Sequence, residues 1–302
     1  MHIPQTVIYI FPYTEDERKM VLKEFGFTDS GLREDAEAIF DWFQKQPHLV
    51  EAGIGEFIKK LFIMAKGSRE KTKSKIDNFY KLRGMSPDLI HSRIEVLTGN
   101  QDIFTFYRQA ISTKLYEGKR ITTLQFVDQS ASNFAIEEIF RNSYMVGDLR
   151  LRYDFMLGEI WLLDFKNITL GHFLRINPMV VQRASQMFQE GSGFRVFAIH
   201  VLNAPSIGRQ IYNLFKQFIK PKIMERLKVH ANLEELHKIL PKSYLPKDFG
   251  GEDYSMDEFK EFRSEKTLNY LLDGCKKVSN EKKRLDANKE ELVGTFKKLD
   301  LD

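Results

Sequence analysis

The sequence predicts an α/β domain behind an all-helical N-terminal segment. In the first third of the chain, apolar residues recur at helical spacing. Later, three runs rich in β-branched and aromatic residues are separated by helical stretches. Strands that alternate with helices after a helical segment are typical of an α/β domain with a separate helical module. The 302 residues are enough for a large buried core.

Three helices are predicted before residue 85. The first follows a capping sequence at residues 28–30 and ends at Pro47. The second stops near Gly67 and the third near Gly84. Their apolar faces are Leu32, Ala36, Ile39, Phe40 and Phe43; Phe57, Ile58, Leu61, Phe62 and Ala65; and Ile76, Phe79, Tyr80 and Leu82.

A further helix is predicted around residues 103–115, and the first strand at residues 121–127. Residues 160–165 and 194–202 are apolar on both faces, which is typical of central strands covered by helices. Between them, a helix is predicted to start at Pro178 and to run to residue 190. The last fifty residues are charged and helical in pattern, with a capped start near Asp253 and a solvated tail after Cys275.

Composition and charge exclude some classes of protein. The net charge of +4 is small for this length, so a whole-molecule nucleic-acid binder is not indicated. Basic residues gather in two places, with nine Lys or Arg at residues 59–83 and five at residues 216–228. Aromatic residues make up 13% of the chain, and such rings build both protein cores and the walls of lipid pockets.

Cysteine usage and hydropathy indicate the compartment. Cys275 is the single cysteine, so no internal disulfide forms, as is typical of a reducing environment. Residues 3–11 are apolar but lack a basic leader and a cleavage site, so no signal peptide is predicted. No run approaches the roughly 18 apolar residues that span a bilayer. We therefore expect a cytoplasmic protein that contacts membranes transiently and peripherally.

Common enzyme motifs are not found in the sequence. No two of the seven histidines have the helical spacing of a zinc site, and neither a phosphate loop nor a Gly-x-Ser-x-Gly elbow is present. Asp164 and His200 lie in or beside apolar strands. They suggest either an acid–base pair or, more simply, a hydrogen-bonded buried carboxylate and a core histidine. No enzyme activity, cofactor or metal is therefore predicted.

An ordered set of segments lies within residues 194–251. They read Phe-Arg-Val-Phe-Ala-Ile-His-Val-Leu-Asn-Ala-Pro at 194–205, Asn-Leu-Phe-Lys-Gln-Phe-Ile at 213–219 and Leu-Pro-Lys-Asp-Phe-Gly-Gly at 245–251. This set resembles the CRAL-TRIO lipid-binding domain, most of all the branch of α-tocopherol transfer and retinaldehyde-binding proteins. Residues 57–83 resemble the helical N-terminal segment of that family.

The resemblance implies a fold and a division of the chain. The implied fold is a mostly parallel sheet flanked by helices, with the ligand held inside and a mobile amphipathic helix as a lid. The helical N-terminal domain would span residues 1–92, the CRAL-TRIO lipid-binding domain 93–253 and a charged helical tail 254–302.

In this sequence the lid would run over residues 205–219, here called the lid segment. Pro205 suits a first helical turn. From spacing alone, a permanent core helix has the same pattern, and the resemblance favours a lid that covers a ligand in water or lies in a lipid interface. The apolar positions are Ile207, Ile211, Leu214, Phe215, Phe218 and Ile219, opposite Arg209, Gln210, Asn213, Lys216 and Gln217.

Cations beside the lid segment are expected to meet anionic lipid head groups. The resemblance carries phosphoinositide contacts over to Arg195, Lys222 and Arg226, and Lys216 and Lys220 extend the basic surface. One position departs from the family, because the second base of its Lys-x-Arg pair is Phe197 here. On composition alone, an ordinary solvated basic face is the alternative.

The resemblance also implies a pocket. Ser143 is suited to bond a ligand hydroxyl. Glu159 stands where tocopherol binders have an aliphatic residue, so its carboxylate either faces away or changes the choice of ligand. The matched lining positions are Phe140, Ser143, Leu163, Met187, Phe188, Phe194, Val196 and Ile199, joined from the lid segment by Ile207, Ile211, Leu214 and Phe215.

We therefore expect a carrier that binds a single hydrophobic lipid and transfers it between membranes, opening at anionic surfaces that include phosphoinositides. A tocopherol, a retinoid, a carotenoid or another isoprenoid-like molecule would be the ligand. The first alternative is a phosphoinositide or phospholipid sensor of the same fold. The others are an enzyme that uses Asp164 and His200, and a structural interaction module without a cavity.

Overall fold

The computed structural model describes residues 11–49, 57–90, 106–257 and 265–285. Five α-helices precede a five-stranded sheet, and seven more lie between its strands or after them within these ranges. The N-terminal helices are α1 (Glu15–Lys23), α2 (Asp29–Gln44), α3 (Phe57–Met64), α4 (Arg69–Gly84) and α5 (Pro87–Ile90). The later ones are α6 (Ile136–Tyr153), α7 (Leu170–Leu174), α8 (Pro178–Gln186), α9 (Gly208–Lys216), α10 (Pro221–Met224), α11 (Leu233–His237) and α12 (Glu265–Cys275).

The N-terminal helices form where the capping and spacing signals indicate. The Thr28 side chain accepts from Gly31 N at the start of α2, and Ser68 caps α4 in the same way. Most of the predicted apolar face of α2 is buried against α3 and α4, but Phe40 is exposed. The helix α1, which begins at a capping box formed by Thr14 and Glu17, was not predicted.

The sheet has the strand order β1-β2-β3-β4-β5. Its strands are β1 (Tyr107–Ile111), β2 (Lys119–Phe126), β3 (Gly158–Asp164), β4 (Val196–Leu202) and β5 (Leu227–His230). Strands β2 to β5 are parallel, and β1 is antiparallel to β2. The predicted fold class, a mostly parallel sheet with flanking helices behind a helical N-terminal segment, is confirmed.

Both edge strands differ from the sequence-based prediction. The helix predicted around residues 103–115 is wrong where the structure describes it, because this stretch contains β1. Its residues pair with β2 from Tyr107 opposite Phe126 to Ile111 opposite Thr122. Strand β5 was not predicted. In both strands the backbone groups are satisfied by pairing with another strand, and the hydrophobic period within a segment carries no information about such pairing.

The helix predicted from Pro178 to residue 190 starts as expected but changes its geometry. The α-helix α8 ends at Gln186, and residues Met187–Ser192 continue as a π-helix that ends at Gly193 in the left-handed region. π-helical turns are rare and frequently occur at functional sites. A Cβ atom on Gly191 would lie 3.3 Å from Phe79 Cα, so glycine permits this turn to approach α4 closely.

The C-terminal segment packs on the rest of the molecule. Leu271 of α12 is buried with Met145 and Leu149 of α6. The tail after Cys275 was expected to be solvated, yet Asn280 N donates to His48 O and Arg284 bonds Asp77 at 2.6 Å. The described part of this tail is therefore bound to the N-terminal helices. The capped start predicted near Asp253 extends into residues 258–264, which lie outside the described ranges.

The two faces of the sheet have different neighbours. Along β3, Ile160 and Leu162 face a core built with α11 and the loop that follows it. The alternate residues Glu159, Trp161 and Leu163 face the opposite side, toward a cavity. This division follows from the two-residue period of a strand, and it places the candidate site on one face of the sheet.

Candidate functional site

A cavity of about 600 Å³ lies between the sheet, α6, the π-helix and the lid segment. This volume falls in the range of about 300–1,000 Å³ that is usual for small-molecule sites. Every second side chain of a strand points to the same face of the sheet, and most of those that face the cavity are apolar. They comprise Leu124 of β2, Trp161 and Leu163 of β3, Ile199 and Val201 of β4, and Leu227 and Val229 of β5.

Most residues that the sequence predicted for the pocket line this cavity. From the sheet and helices these are Phe140, Ser143, Leu163, Met187, Phe188, Phe194 and Ile199, and from the lid segment Ile211 and Phe215. Their role in binding stays a prediction. Phe188 also contacts Trp161, with ring centroids 5.0 Å apart, so the π-helix packs directly on the cavity face of the sheet.

Three predicted positions do not line the cavity. Val196 is buried in a small core cluster with Ile199 and Val201. Ile207 precedes α9 and is buried in the cluster that holds the N-terminal end of the lid segment. Leu214 is half-buried on α9 but does not line the cavity; Ile211 and Phe215 on the same helix do. Helical spacing identified the apolar face, and tertiary packing decided which of its residues reach the cavity.

The cavity also has polar and N-terminal walls that the sequence did not indicate. Phe79, Leu82 and Arg83 of α4 contribute to the lining, together with Arg150 of α6. Helical spacing predicted Phe79 and Leu82 as core positions. Nothing in the local sequence pattern indicates that a helix forms the wall of a pocket. Arg83 pairs with Asp148 at 2.8 and 3.1 Å, so this lining cation is neutralised.

A buried ionic cluster forms one end of the cavity. Glu159 accepts hydrogen bonds from Arg150 Nη1 and from Trp161 Nε1. Arg150 also donates to Asp154 at 3.2 Å, and Asp154 in turn accepts from Arg120 at 3.1 Å. These four charged residues are each at most 7% exposed as side chains and balance as two cations and two anions. The wall is therefore polar without a net charge.

The lid segment forms the wall of the cavity opposite the sheet. Its helix α9 is shorter than predicted, and Ile211, Phe215 and Ile219 are turned toward the cavity. Arg209, Gln210, Asn213, Lys216 and Gln217 are exposed, as the amphipathic pattern predicted.

Hydrogen bonds hold both ends of the lid segment. Just before it, Asn203 Nδ2 donates to Asp164 at 2.8 Å. At its far end, Gln189 of the π-helix donates to Phe218 O at 2.9 Å and accepts from Lys220 N at 2.7 Å. The π-helix thus bears both cavity-lining residues and the contact that fixes the end of the lid segment.

Most of the part of the chain that forms this cavity matches a known protein family. The family model described as "CRAL/TRIO domain" matches residues 116–251, which include strands β2 to β5 and the lid segment. The chain therefore contains a CRAL/TRIO domain. Proteins with this domain form a family of lipid-binding and lipid-transfer proteins, and the resemblance carried by residues 194–251 is confirmed.

Several curated relatives match over part or most of the chain. The human "Alpha-tocopherol transfer protein-like" is 23% identical over 258 residues, covering 84% of this chain and 75% of that protein. The mouse protein of that name is 30% identical over 129 residues, 42% of this chain and 38% of its own. Rat "Clavesin-2" is 26% identical over 140 residues, 44% and 42% of the two chains. The structure titled "Crystal structure of Sfh5" superposes with a TM-score of 0.49 at 13% identity, covering 86% of this chain and 96% of that one.

The predicted membrane-contacting bases of this CRAL-TRIO chain fall into two groups. Lys216, Lys220 and Lys222 are exposed on or beside the lid segment. Arg226 turns inward and donates to Val196 O. Arg195 packs its guanidinium 4.6 Å from the Phe197 ring and 5.5 Å from the ring of Phe25, and burial together with the Arg226 charge lowers its pKa.

Asp164 and His200 do not form a pair in this domain. Asp164 accepts from Gln125, Asn203 and the Lys166 backbone. His200 Nδ1 lies 2.8 Å from His230 Nε2, and burial, aided by His230, lowers the pKa of His200 to about 4. Neither residue lines the cavity, so each has the simpler of the two roles considered above, a satisfied carboxylate and a core histidine.

Neither a metal site nor a membrane-spanning helix is found in the ranges that the structure describes. No group of three or more His, Cys, Asp or Glu residues there is arranged to hold a metal ion. Among the same residues, no helix has the length and the apolar character required to cross a bilayer.

Proposed function

We propose that this protein binds one hydrophobic lipid in the cavity and transfers it between membranes, with the lid segment opening at an anionic membrane surface. The observation that carries the proposal is an apolar cavity of about 600 Å³ that is lined on one side by an amphipathic helix. Each buried CH₂ group contributes about 0.8 kcal/mol, so a dozen contribute about 10 kcal/mol toward the costs of association. The relatives named after tocopherol transfer support this function.

The charges around the cavity favour a neutral lipid over a phospholipid. Arg83 and Arg150 line it, and both are paired with buried carboxylates. Arg209, the other lining cation among the residues that the structure describes, is exposed on the lid segment. A phosphate head group in the interior would therefore lack an unpaired cation. This favours an isoprenoid-like cargo over the phosphoinositide-sensor alternative.

Membrane docking is supported by exposed side chains of two kinds. Lys216, Lys220 and Lys222 would each contribute about 1 kcal/mol near an anionic surface. In addition, Leu174 of α7 is 74% exposed and Met179 of α8 is 63% exposed. Exposed apolar groups beside basic ones are suited to a lipid interface, and we expect a cytoplasmic protein that visits membranes transiently.

The function can be tested with the purified full-length protein. Organic extraction and mass spectrometry should find a bound neutral lipid, and the protein should accelerate transfer of retinol or tocopherol between liposomes. Anionic acceptor liposomes should accelerate transfer further. A protein that carries no lipid and transfers neither compound would contradict the proposal. A bound phosphoinositide would favour the sensor instead.

Loss of the Gln189 side chain should accelerate ligand exchange. In a Gln189→Ala variant, the two bonds to residues 218 and 220 at the end of the lid segment are lost, at about 1 kcal/mol each. We expect the rate of retinol release, followed by fluorescence, to rise by about tenfold or more. The matched control is Gln186→Ala, since Gln186 is exposed one helical turn earlier and bonds only Glu190 at 3.4 Å. Equal release rates in the two variants would show that Gln189 does not hold the lid segment.

A further inference from the structure

The ionic end of the cavity contains an acceptor that its neighbours do not saturate. Glu159 lines the cavity on β3 and accepts one bond at each carboxylate oxygen, from Arg150 and from Trp161. An ionised carboxylate offers about four acceptor sites. Each oxygen of Glu159 therefore keeps capacity for one further donor. The Trp161 indole has a single N–H, which is already used, so it offers a ligand nothing more.

The same end of the cavity is unsuited to an ionised ligand. Arg150 is shared between Glu159 and Asp154, and Arg120 completes the pairing of Asp154. A ligand carboxylate at this end would lie beside the Glu159 charge and would have to compete for an Arg150 that is already paired. A ligand ammonium would be desolvated in a cluster that is already neutral. A neutral group with one polar hydrogen satisfies the free capacity without either cost.

We propose that the cargo carries a hydroxyl group that donates to Glu159, so that the protein selects neutral lipid alcohols or phenols over acids and ethers of the same skeleton. This inference rests on the proposed function. The apolar remainder of the cavity, which includes Leu124 and Phe165, would hold the hydrocarbon part of the ligand.

Ser143 is the competing anchor for such a hydroxyl. Its side chain lines the cavity from α6, seven residues before Arg150. At about 1.5 Å per helical residue, the two positions are separated by about 10 Å along the helix axis. A ligand hydroxyl therefore bonds at one end or the other, and substitutions at the two positions distinguish them.

The test compares three probes with one C20 skeleton: phytol, phytanic acid and phytyl methyl ether. In titration calorimetry with the full chain at pH 7, phytol should bind roughly ten- to a hundredfold more tightly than the ether, the ratio expected for one hydrogen bond to a charged group. Phytanic acid, which is ionised at this pH, should bind no better than the ether. This comparison requires no variant and does not depend on how any substitution affects folding.

Variants then assign the preference to a residue. Glu159→Gln should reduce the ratio of phytol to ether affinity severalfold, and Ser143→Ala should leave it unchanged. The double substitution of Arg150→Met with Glu159→Leu removes both partners of an ion pair together, while Arg120 stays paired with Asp154. In this double variant the ratio should approach one, with circular dichroism and thermal unfolding as checks of folding.

The outcomes separate this inference from the proposed function. Equal affinity of the wild-type protein for all three probes would leave lipid binding intact and overturn the selection of alcohols. A preference for phytol that disappears in Ser143→Ala and survives in Glu159→Gln would also overturn it. If none of the probes binds and no lipid co-purifies, the proposed function itself fails.

Discussion

Replacing Ser143 by phenylalanine should abolish most lipid binding without unfolding the protein. Ser143 is only half-buried because its side chain borders the cavity, so a benzyl group there occupies ligand space. Displacing about four ligand CH₂ groups, at about 0.8 kcal/mol each, would weaken binding by roughly a hundredfold. Liposome transfer of retinol should fall in parallel. Thermal stability of the unliganded protein should be unchanged or higher, since the added ring fills empty space.

The matched control places the same ring outside the cavity. Gln182 is an exposed position on α8, so Gln182→Phe adds equal apolar area without blocking the ligand. This variant should bind and transfer retinol like the wild type. If Ser143→Phe keeps full affinity, the cavity described here is not where the lipid resides. If it loses affinity together with its folded structure, the Leu163→Phe variant on the opposite wall provides the same test.

Replacing Asp154 by alanine should cause the largest loss of stability. Asp154 is 1% exposed and accepts bonds from Arg120, Arg150 and the Phe155 backbone. Without it, two buried guanidinium groups lose their shared partner. Breaking a buried ion pair in this way costs about 3–5 kcal/mol, a large part of a typical total stability. Chemical denaturation should show this loss as a lower midpoint.

An exposed carboxylate and the pH dependence provide the controls. Asp16 is 95% exposed and lies 4.0 Å from Lys19, so Asp16→Ala should change the free energy of unfolding by less than about 0.5 kcal/mol. Burial raises the pKa of Asp154, but Arg120 and Arg150 outweigh this effect and lower it overall. The pKa of an aspartate in the unfolded chain is about 4, so the stabilisation by ionised Asp154 is present above about pH 4. It is lost as the pH falls through the lower pKa that Asp154 has in the folded protein. A loss below about 1 kcal/mol in Asp154→Ala would contradict this account.

Local sequence signals predicted several of the elements, because those signals act through neighbouring residues. Capping at Thr28, the proline at the start of α8 and the apolar runs of β3 and β4 all involve contacts within a few residues or burial on both faces. Strands β1 and β5 lack such signals. Each forms because a neighbouring strand of the sheet supplies its hydrogen bonds, so the edges of the sheet were mispredicted or missed while its centre was predicted.

The candidate site was predictable in part, and only with the family resemblance. The resemblance located the lid segment and most cavity positions, yet it also selected Val196, Ile207 and Leu214, which do not line the cavity. It did not indicate the wall formed by α4. Arg150 has the appearance of an ordinary helix cation in the sequence, and its burial becomes evident only when Glu159 and Asp154 are brought beside it.

By itself, the sequence determined several of the helical and extended segments, which of their faces are apolar and which family the chain resembles. Only the tertiary structure decided that one face of the sheet borders an empty space and that its wall contains a balanced ionic cluster. The physical reason is that periodicity specifies which side of an element avoids water. It does not specify whether protein atoms or a ligand will cover that side, nor which distant charges will be buried together.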